Sequence, residues 1–359
     1  MRIGIITIND DNNYGNRLQN FAIQEVMRKL GIDVVTIKNN PILNKKKYFL
    51  LRYIKFKIST SKINNLERHC KFMEFNRNIK FSNKYVTPYS NLDNKYDCFI
   101  TGSDQVWNPN FGRLRDIDLL EFTEPKKRIS FSASFGIGTL PKQYNEKLRN
   151  ALKDYKAISV REDAGKKIIE DVVGRKDVQV LVDPTMLLTA EEWDKVAKKP
   201  EQLKTDRYIL NYFLGELSEK RKAEIDRIAK ENDCEVINIL DKNSPFYCTG
   251  PSEFLYLEKH AFLVCTDSFH SSVFAILYNR PFIVFGREDN TVSMNSRIET
   301  LINKFNLKNR EYNGKEITKE NLNHDYTEAY EILNEERKKS MTFLMKALDV
   351  EEVKDNDKK

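Results

Sequence analysis

Short apolar runs alternate along this 359-residue chain with stretches whose apolar positions recur every three or four residues. The run IGIITI (3–8) leads into NRLQNFAIQEVMRKLG (16–31), which has helical spacing and Gly31 as its stop, and then into DVVTIK (33–38). Compact apolar runs predict strands and longer periodic stretches predict helices, so the chain opens as a βαβ unit. Further strands are expected at DCFITG (97–102), RISFSAS (128–134), AISVR (157–161) and VQVLVDP (178–184), with helices at 141–155 and 162–172. A second series has strands at RYILNYF (207–213), EVINI (235–239), AFLVCT (261–266) and PFIVF (281–285), with helices at 218–232, 251–259 and 270–279 between them.

Strands and helices that alternate through both halves predict two doubly wound, Rossmann-like α/β domains facing a cleft. The expected domains are 1–190, with an insertion at 38–95, and 200–325, joined by the polar stretch 197–206. Residues 351–359, EEVKDNDKK, read as a frayed tail.

Composition agrees with a folded chain: 40% of residues are apolar, and 21 Phe and 16 Tyr are far too many for a disordered one. No window approaches the ~18 uninterrupted apolar residues of a membrane span, and Met1 leads directly into a strand, so the cytoplasm is the expected compartment. The five cysteines form no CxxC pair, which predicts neither a disulfide framework nor a zinc site; Cys98 and Cys265 read as small hydrophobic strand residues.

The net charge of +7 is unevenly placed: Lys38 to Lys80 holds twelve Lys or Arg against only Glu67 and Glu74, leaving the remainder slightly acidic. Within it, KKKYFLLRYIKFKI (45–58) sets Leu50, Leu51, Ile54 and Ile58 near one helical face with cations around them. Two accounts stand, an interfacial helix meeting anionic lipid or a lipid-linked phosphate, and a domain helix with a solvated basic face. No nucleic-acid motif accompanies the charge.

Ligands of open α/β sheets bind outside the carboxyl ends of the strands, so the strand-to-helix junctions are the places to search. In NDDNNYGNRLQ (9–19), Gly15 permits close backbone approach before a helix N-terminus, and Asn13, Gly15, Asn16 and Gln19 are candidates; an Asn-capped turn is the plainer account. The stretch carries neither the dinucleotide fingerprint nor a P-loop. In ITGSDQVWNPNFG (100–112), Gly102, Ser103, Asp104, Gln105, Trp107 and Asn108 offer the acid, amides and flat indole that sugar recognition uses; otherwise the stretch is a capped turn over a core Trp107.

Ser132, Ser134 and Gly136 in SFSASFGIG (130–138) present hydroxyls and an N–H, although strand alternation explains the first half equally well. Arg161, ending its strand, can grip a phosphate or carboxylate bidentately or pair with Glu162 or Asp163. Asp183 in VDPT is a possible ligand contact. In VCTDSFHSSVFAIL (264–277), Ser268 is placed to cap a helix with His270, Ser271 and Ser272 in its first turn. His270, partnered by Asp267 or by a bound phosphate, has the makings of a general acid. Arg297, in the first turn of a helix beginning behind Asn295 and Ser296, points to a second anion contact unless Glu299 balances it.

NYGNRLQNFAIQ, DCFITGSDQVWNP, RISFSASFG, ISVRE, VDPTMLL, GPSEFLYLEKHAFLVCTDSFHSSVFAILYNRPF and NSRIETLI together resemble the serial landmarks of the polysaccharide pyruvyl transferases, in that family's order, from about Asn13 to Ile302. The resemblance implies a two-domain architecture like that of the GT-B glycosyltransferases, closed by a C-terminal helix within 326–350. It implies transfer of the enolpyruvyl unit of phosphoenolpyruvate to two hydroxyls of a sugar in a cell-surface polysaccharide or a lipid-linked precursor, with neither metal nor cofactor. The first domain would take the acceptor and the second the donor, at the inner face of the membrane. His270 matches the family's proposed general acid, with Asp267 beside it, and Arg161, Ser268, Ser271, Asn295, Ser296 and Arg297 would hold the donor. One departure is visible: many members carry a basic residue two positions before that histidine, where this chain has Ser268. A nucleotide-sugar glycosyltransferase and a non-catalytic surface-assembly protein are the competing readings.

Overall fold

The computed structural model describes residues 1–9, 12–39, 60–83, 92–287, 296–323 and 325–350. Its first sheet is built from β1 (Arg2–Ile6), β2 (Asp33–Thr36), β3 (Cys98–Thr101), β4 (Arg128–Ala133), β5 (Ala157–Val160) and β6 (Gln179–Val180), in the order β2-β1-β3-β4-β5-β6. Its second has β7 (Tyr208–Tyr212), β8 (Glu235–Asn238), β9 (Leu263–Thr266) and β10 (Phe282–Val284), in the order β10-β9-β7-β8. Every pairing in both sheets is parallel. Parallel sheets are covered on both faces, which is why most of these strands read as unbroken apolar runs.

The covering helices are α1 (Tyr14–Lys29), α2 (Thr60–Phe75), α3 (Asn145–Leu152), α4 (Asp163–Val172), α5 (Ala190–Asp194), α6 (Glu219–Glu231), α7 (Pro251–His260), α8 (Phe269–Leu277), α9 (Ser296–Lys304), α10 (Lys319–Leu322) and α11 (Thr327–Leu348). The two Rossmann-like units expected from the alternation are thus both present. α2 was not expected, and the predicted basic helix at 45–58 lies outside the described residues. Among those described, no helix is long and apolar enough to cross a membrane.

α1 begins where the Asn13 side chain accepts from Asn16 N at 3.1 Å and ends with Arg28 and Lys29 in its last turn, favourable at the negative end of the helix dipole. It is buried almost all round because it lies between the sheets. One apolar core runs through Ile5, Leu18, Trp193, Phe254, Phe274 and Leu344 and joins both halves. Within it the Tyr14 ring stacks on Phe254 at 4.5 Å, and its hydroxyl donates to the Thr249 carbonyl at 2.8 Å. Burial pushes that phenol up to about 12. The Arg68 guanidinium of α2 lies over the same ring at 4.6 Å and donates to the Tyr247 carbonyl at 3.1 Å, and Lys71 reaches Glu253 at 2.8 Å, so α2 ties the N-terminal half to the second. Each such aromatic removed from water stabilises by roughly 1.5–3 kcal/mol.

α11 bridges the halves on another side. Near its start Tyr330 Oη donates to the Ile276 and Leu277 carbonyls at 3.0 and 2.9 Å. Further along, Arg337 donates to the Met186 and Leu188 carbonyls at 2.7 and 2.8 Å, and Phe343 packs on Phe131 of β4. With α2 and α11 both fastened across, the carboxyl ends of the two sheets are held toward each other.

Candidate functional site

Asp183, in the turn after β6, is fully buried and gathers donors from three separate elements. Its Oδ1 accepts from Thr185 N at 3.0 Å and Thr185 Oγ1 at 2.7 Å, which fixes the side chain. Its Oδ2 accepts from Ser103 Oγ at 2.5 Å and Arg161 Nη1 at 2.5 Å, and His270 Nε2 stands 3.6 Å away. Burial pushes the carboxyl up, but His270, Arg161 and Ser103 together hold it well below the usual carboxylate range. A carboxylate therefore sits under the imidazole, the counter-charge that a protonated ring requires.

His270 lies in the first turn of α8 and reaches across to α1. A Cβ on Gly15 would overlap the imidazole around Nδ1, so only glycine lets the ring rest against the α1 backbone. Arg161, at the end of β5, lies over the Phe269 ring at 4.4 Å, with Asp104 Oδ1 at 3.7 Å from its Nη2. α9 brings in Arg297, held near the first sheet by the Asp163 N–H donating to Thr300 Oγ1 at 3.2 Å. With the Gln105 amide oxygen turned toward it, Arg297 donates from both Nη atoms at 3.2 Å. Burial and the neighbouring Arg161 pull Arg297 down to about 10, leaving it charged at neutral pH.

Two guanidinium groups and an imidazole are thus gathered at one buried place. Among the described residues, Arg161 Nε and Nη2, Arg297 Nε, Ser296 Oγ and His270 Nε2 are buried with no hydrogen-bond partner. A buried donor left unpaired costs about 1–3 kcal/mol, and clustered cationic ones are relieved together by an anion with several oxygens. Among the same residues, no three His, Cys, Asp or Glu converge as metal ligands would.

A family model described as polysaccharide pyruvyl transferase matches residues 13–290. The chain belongs to the polysaccharide pyruvyl transferase family. The match takes in Gly15, Asp104, Arg161, Asp183 and His270, while Arg297 lies beyond it. A comparison with curated proteins finds no match. Among solved structures, the chain is similar to the UDP-GlcNAc 2-epimerase of Methanocaldococcus jannaschii, crystallised with UDP-GlcNAc and UDP, at 15% identity over 97% of this chain and 99% of that one, TM-score 0.46. It is similar to a glycosyltransferase of Rickettsia africae at 9% identity over 96% and 93%, TM-score 0.46, and to MurG of Acinetobacter baumannii at 8% over 97% and 99%, TM-score 0.35.

In this family member the first expected junction serves as scaffold. Asn13 caps α1, Asn16 Nδ2 donates to Asp104, and Gln19 bridges Thr7 Oγ1 at 2.9 Å to the Ser103 N–H at 3.2 Å. Gly102, at φ +127°, is required for close approach to the Phe131 carbonyl. Ser103 reaches Asp183, and Asp104 and Gln105 reach the arginines, as above; Asn108 packs on Gln105 and caps the short turn after it.

Several expectations are corrected. Asp267 is not the partner of His270: it accepts from Leu214 N at 2.7 Å and Gly215 N at 2.8 Å and pairs with Arg287, and Asp183 takes the place beside the imidazole. Trp107 is no sugar platform, since its indole is buried against Phe135 and Tyr155 and donates to the Asp118 carbonyl at 3.1 Å. The Ser271 hydroxyl turns away to Glu258 at 2.5 Å, and Ser132 donates to the Val182 carbonyl at 2.7 Å. Ser134, with the Phe135 and Gly136 N–H groups, donates to Glu162 Oε1, so Arg161 is not Glu162's partner. Ser268 leads into α8 without a side-chain cap, its N–H donating to Thr266 Oγ1 at 3.0 Å. Asn295 lies outside the described residues.

Phe269 and Arg287 were missed. Phe269 carried no signal apart from its neighbour, and Arg287 is distinguishable only once Asp267 is seen beside it.

Proposed function

We propose that the chain transfers the enolpyruvyl unit of phosphoenolpyruvate to a sugar and closes it into a cyclic ketal over two hydroxyls. The observation that carries this reading is the pair Arg161 and Arg297, buried with unpartnered donors beside His270. A donor with both a carboxylate and a phosphate matches two guanidinium groups, and Arg297 supplies a second cation in a pocket whose position 268 is a serine.

Protonated His270 gives its proton to C3 of the enol, and the C2–C3 π electrons form that C–H bond. C2 becomes an oxocarbenium-like centre, stabilised by the adjacent phosphate ester oxygen and the Arg-held carboxylate. A sugar hydroxyl adds to C2 and its proton returns to the imidazole. The C2–O bond to phosphate then breaks, phosphate leaves with the electron pair, and the second hydroxyl closes the ring and loses its proton to phosphate. Asp183 steadies the imidazolium at the start of this cycle and again when it re-forms.

The acceptor is read as a sugar of a surface polysaccharide or its lipid-linked precursor, met by the first sheet's side of the cleft. The cation-rich segment 38–80 would bring the enzyme to an anionic membrane from the cytoplasmic side. The test is to incubate the protein with phosphoenolpyruvate and candidate lipid-linked sugars, then seek a pyruvyl ketal by mass spectrometry. Phosphoenolpyruvate should also raise Tm where uridine and guanosine sugar nucleotides do not. A shift from sugar nucleotides alone overturns the reading in favour of a glycosyltransferase.

A further inference from the structure

In the second sheet β8 lies on one side of β7, with β9 and β10 on the other, so the chain departs from neighbouring β7 and β9 in opposite directions. Such a switch point is where open α/β sheets bind phosphate-bearing ligands, and successive backbone N–H groups at a strand end form an anion cradle. The bend just after β7 holds two such groups, at Leu214 and Gly215.

Both are taken by one carboxylate of the same chain. Leu214 N donates to Asp267 Oδ1 at 2.7 Å and Gly215 N to Asp267 Oδ2 at 2.8 Å. Arg287 Nε faces Oδ2 at 3.3 Å, and Asp267 is buried. Position 215 is built for this: a Cβ there would lie 3.2 Å from Oδ2, tighter than side chains tolerate without a shift. The two carboxylate oxygens thus engage both amides, and the same carboxylate faces the Arg287 cation.

We propose that Asp267 is a specificity-determining residue, an internal plug that fills the amide cradle of the second sheet and excludes pyrophosphate and nucleoside diphosphates from it. A diphosphate arriving there meets a fixed negative charge and amides already engaged, a repulsive element as well as a missing attractive one. The inference deepens the reading above, on which the donor is a small phosphate ester held by Arg161 and Arg297, because it accounts for one cleft accepting that ester and refusing a nucleotide sugar.

The test titrates inorganic pyrophosphate and uridine diphosphate into the wild type, Asp267→Ala and Asp267→Asn by calorimetry, and follows the amide resonances of Leu214 and Gly215 in labelled protein. The wild type should give no measurable binding and unmoved resonances at millimolar ligand. Asp267→Ala should bind pyrophosphate at least ~10-fold more tightly than wild type, with both resonances displaced. Asp267→Asn, which keeps an acceptor but loses the charge, should fall between. Displacement of those resonances in the wild type overturns the proposal and needs no variant to fold; a folded Asp267→Ala with no gain overturns it too. A parallel titration of phosphoenolpyruvate into the wild type separates the two ideas, since its failure sinks the donor assignment and leaves the cradle result standing.

Discussion

His270 Nε2 and Asp183 Oδ2 stand 3.6 Å apart, one from the first turn of the helix after β9, the other from the turn after β6. The imidazole and its counter-charge therefore come from different sheets, and the pair exists only while the two halves are assembled. On the proposed reaction, a His270→Ala variant that still folds by circular dichroism should lower ketal formation by ~10²–10⁴-fold.

Asp183→Asn should behave differently, because it also strips Arg161 of its main partner. Breaking a buried pair of this kind costs about 3–5 kcal/mol, measurable by urea unfolding at pH 7. The sign with pH follows from the depressed carboxyl: its stabilisation is complete above the unfolded-chain value of ~3.9 and is lost as pH falls toward the folded one. Between pH 5 and pH 2, approximately, wild-type stability should fall more steeply than that of the variant.

Gly15→Ala places a methyl group where the His270 ring lies. Overpacking typically costs about 1–3 kcal/mol, and a displaced acid loses its alignment with the reacting carbon. Turnover should drop ~100-fold while phosphoenolpyruvate still raises Tm, a combination that separates misplacement of His270 from loss of the anion site.

Trp107→Phe checks the correction at the second junction. Losing the Nε1 bond to the Asp118 carbonyl and part of a core ring should lower stability by about 1–2 kcal/mol, with KM for acceptor unchanged. An altered acceptor KM in a stable variant would restore the indole to the binding surface.

The order of strands and helices was legible because parallel strands buried on both faces leave dense apolar runs, as in IGIITI and AFLVC. The junction principle pointed to Arg161, Asp183, His270 and Arg297 individually. Which of them meet was not legible, because that depends on how one sheet faces the other. Asp267 precedes His270 by three residues and looks like its natural partner, yet the β9 exit points its carboxylate at the end of β7. Trp107 and Ser271 failed for a related reason: a junction residue has an inward and an outward face, and nothing local says which. α2 was not legible because its buried face includes a cation, Arg68, which reaches the Tyr247 carbonyl of the other half, and so forms no plain apolar stripe.

Glu258, behind Ser271 in the first turn of α8, allows a test of stability alone. Burial pushes its carboxyl well above the ordinary value, only partly opposed by the Ser271 hydroxyl. An acid protonated when folded and ionised when unfolded costs stability as pH rises above the unfolded value of ~4.3, by about 1.4 kcal/mol per pH unit until the folded value is reached. Glu258→Gln removes that dependence. Its Tm advantage over wild type should be larger at pH 8 than at pH 5; an equal difference at both would mean the carboxyl is ionised in the fold.

Arg297 separates binding from stability most sharply, because the two should move in opposite directions. Its guanidinium is buried beside that of Arg161, and the nearby carboxylates Asp104 and Glu162 compensate it only in part. Without donor, Arg297→Met removes a buried like charge while keeping much of the side-chain volume, so the free protein should be as stable as wild type or more so, by up to about 1 kcal/mol. With donor, the same change removes the second guanidinium. Ligand stabilisation grows as RT ln(1 + [L]/Kd), so at about 100 times the wild-type Kd a ~100-fold weaker Kd deletes about 2.3 kcal/mol of it and leaves about 0.4. Differential scanning with and without phosphoenolpyruvate reads both effects in one experiment, and kinetics should show KM for the donor rising far more than kcat falls. A variant that is destabilised without donor yet keeps its full ligand shift would make Arg297 a structural residue and leave Arg161 to hold the anion alone.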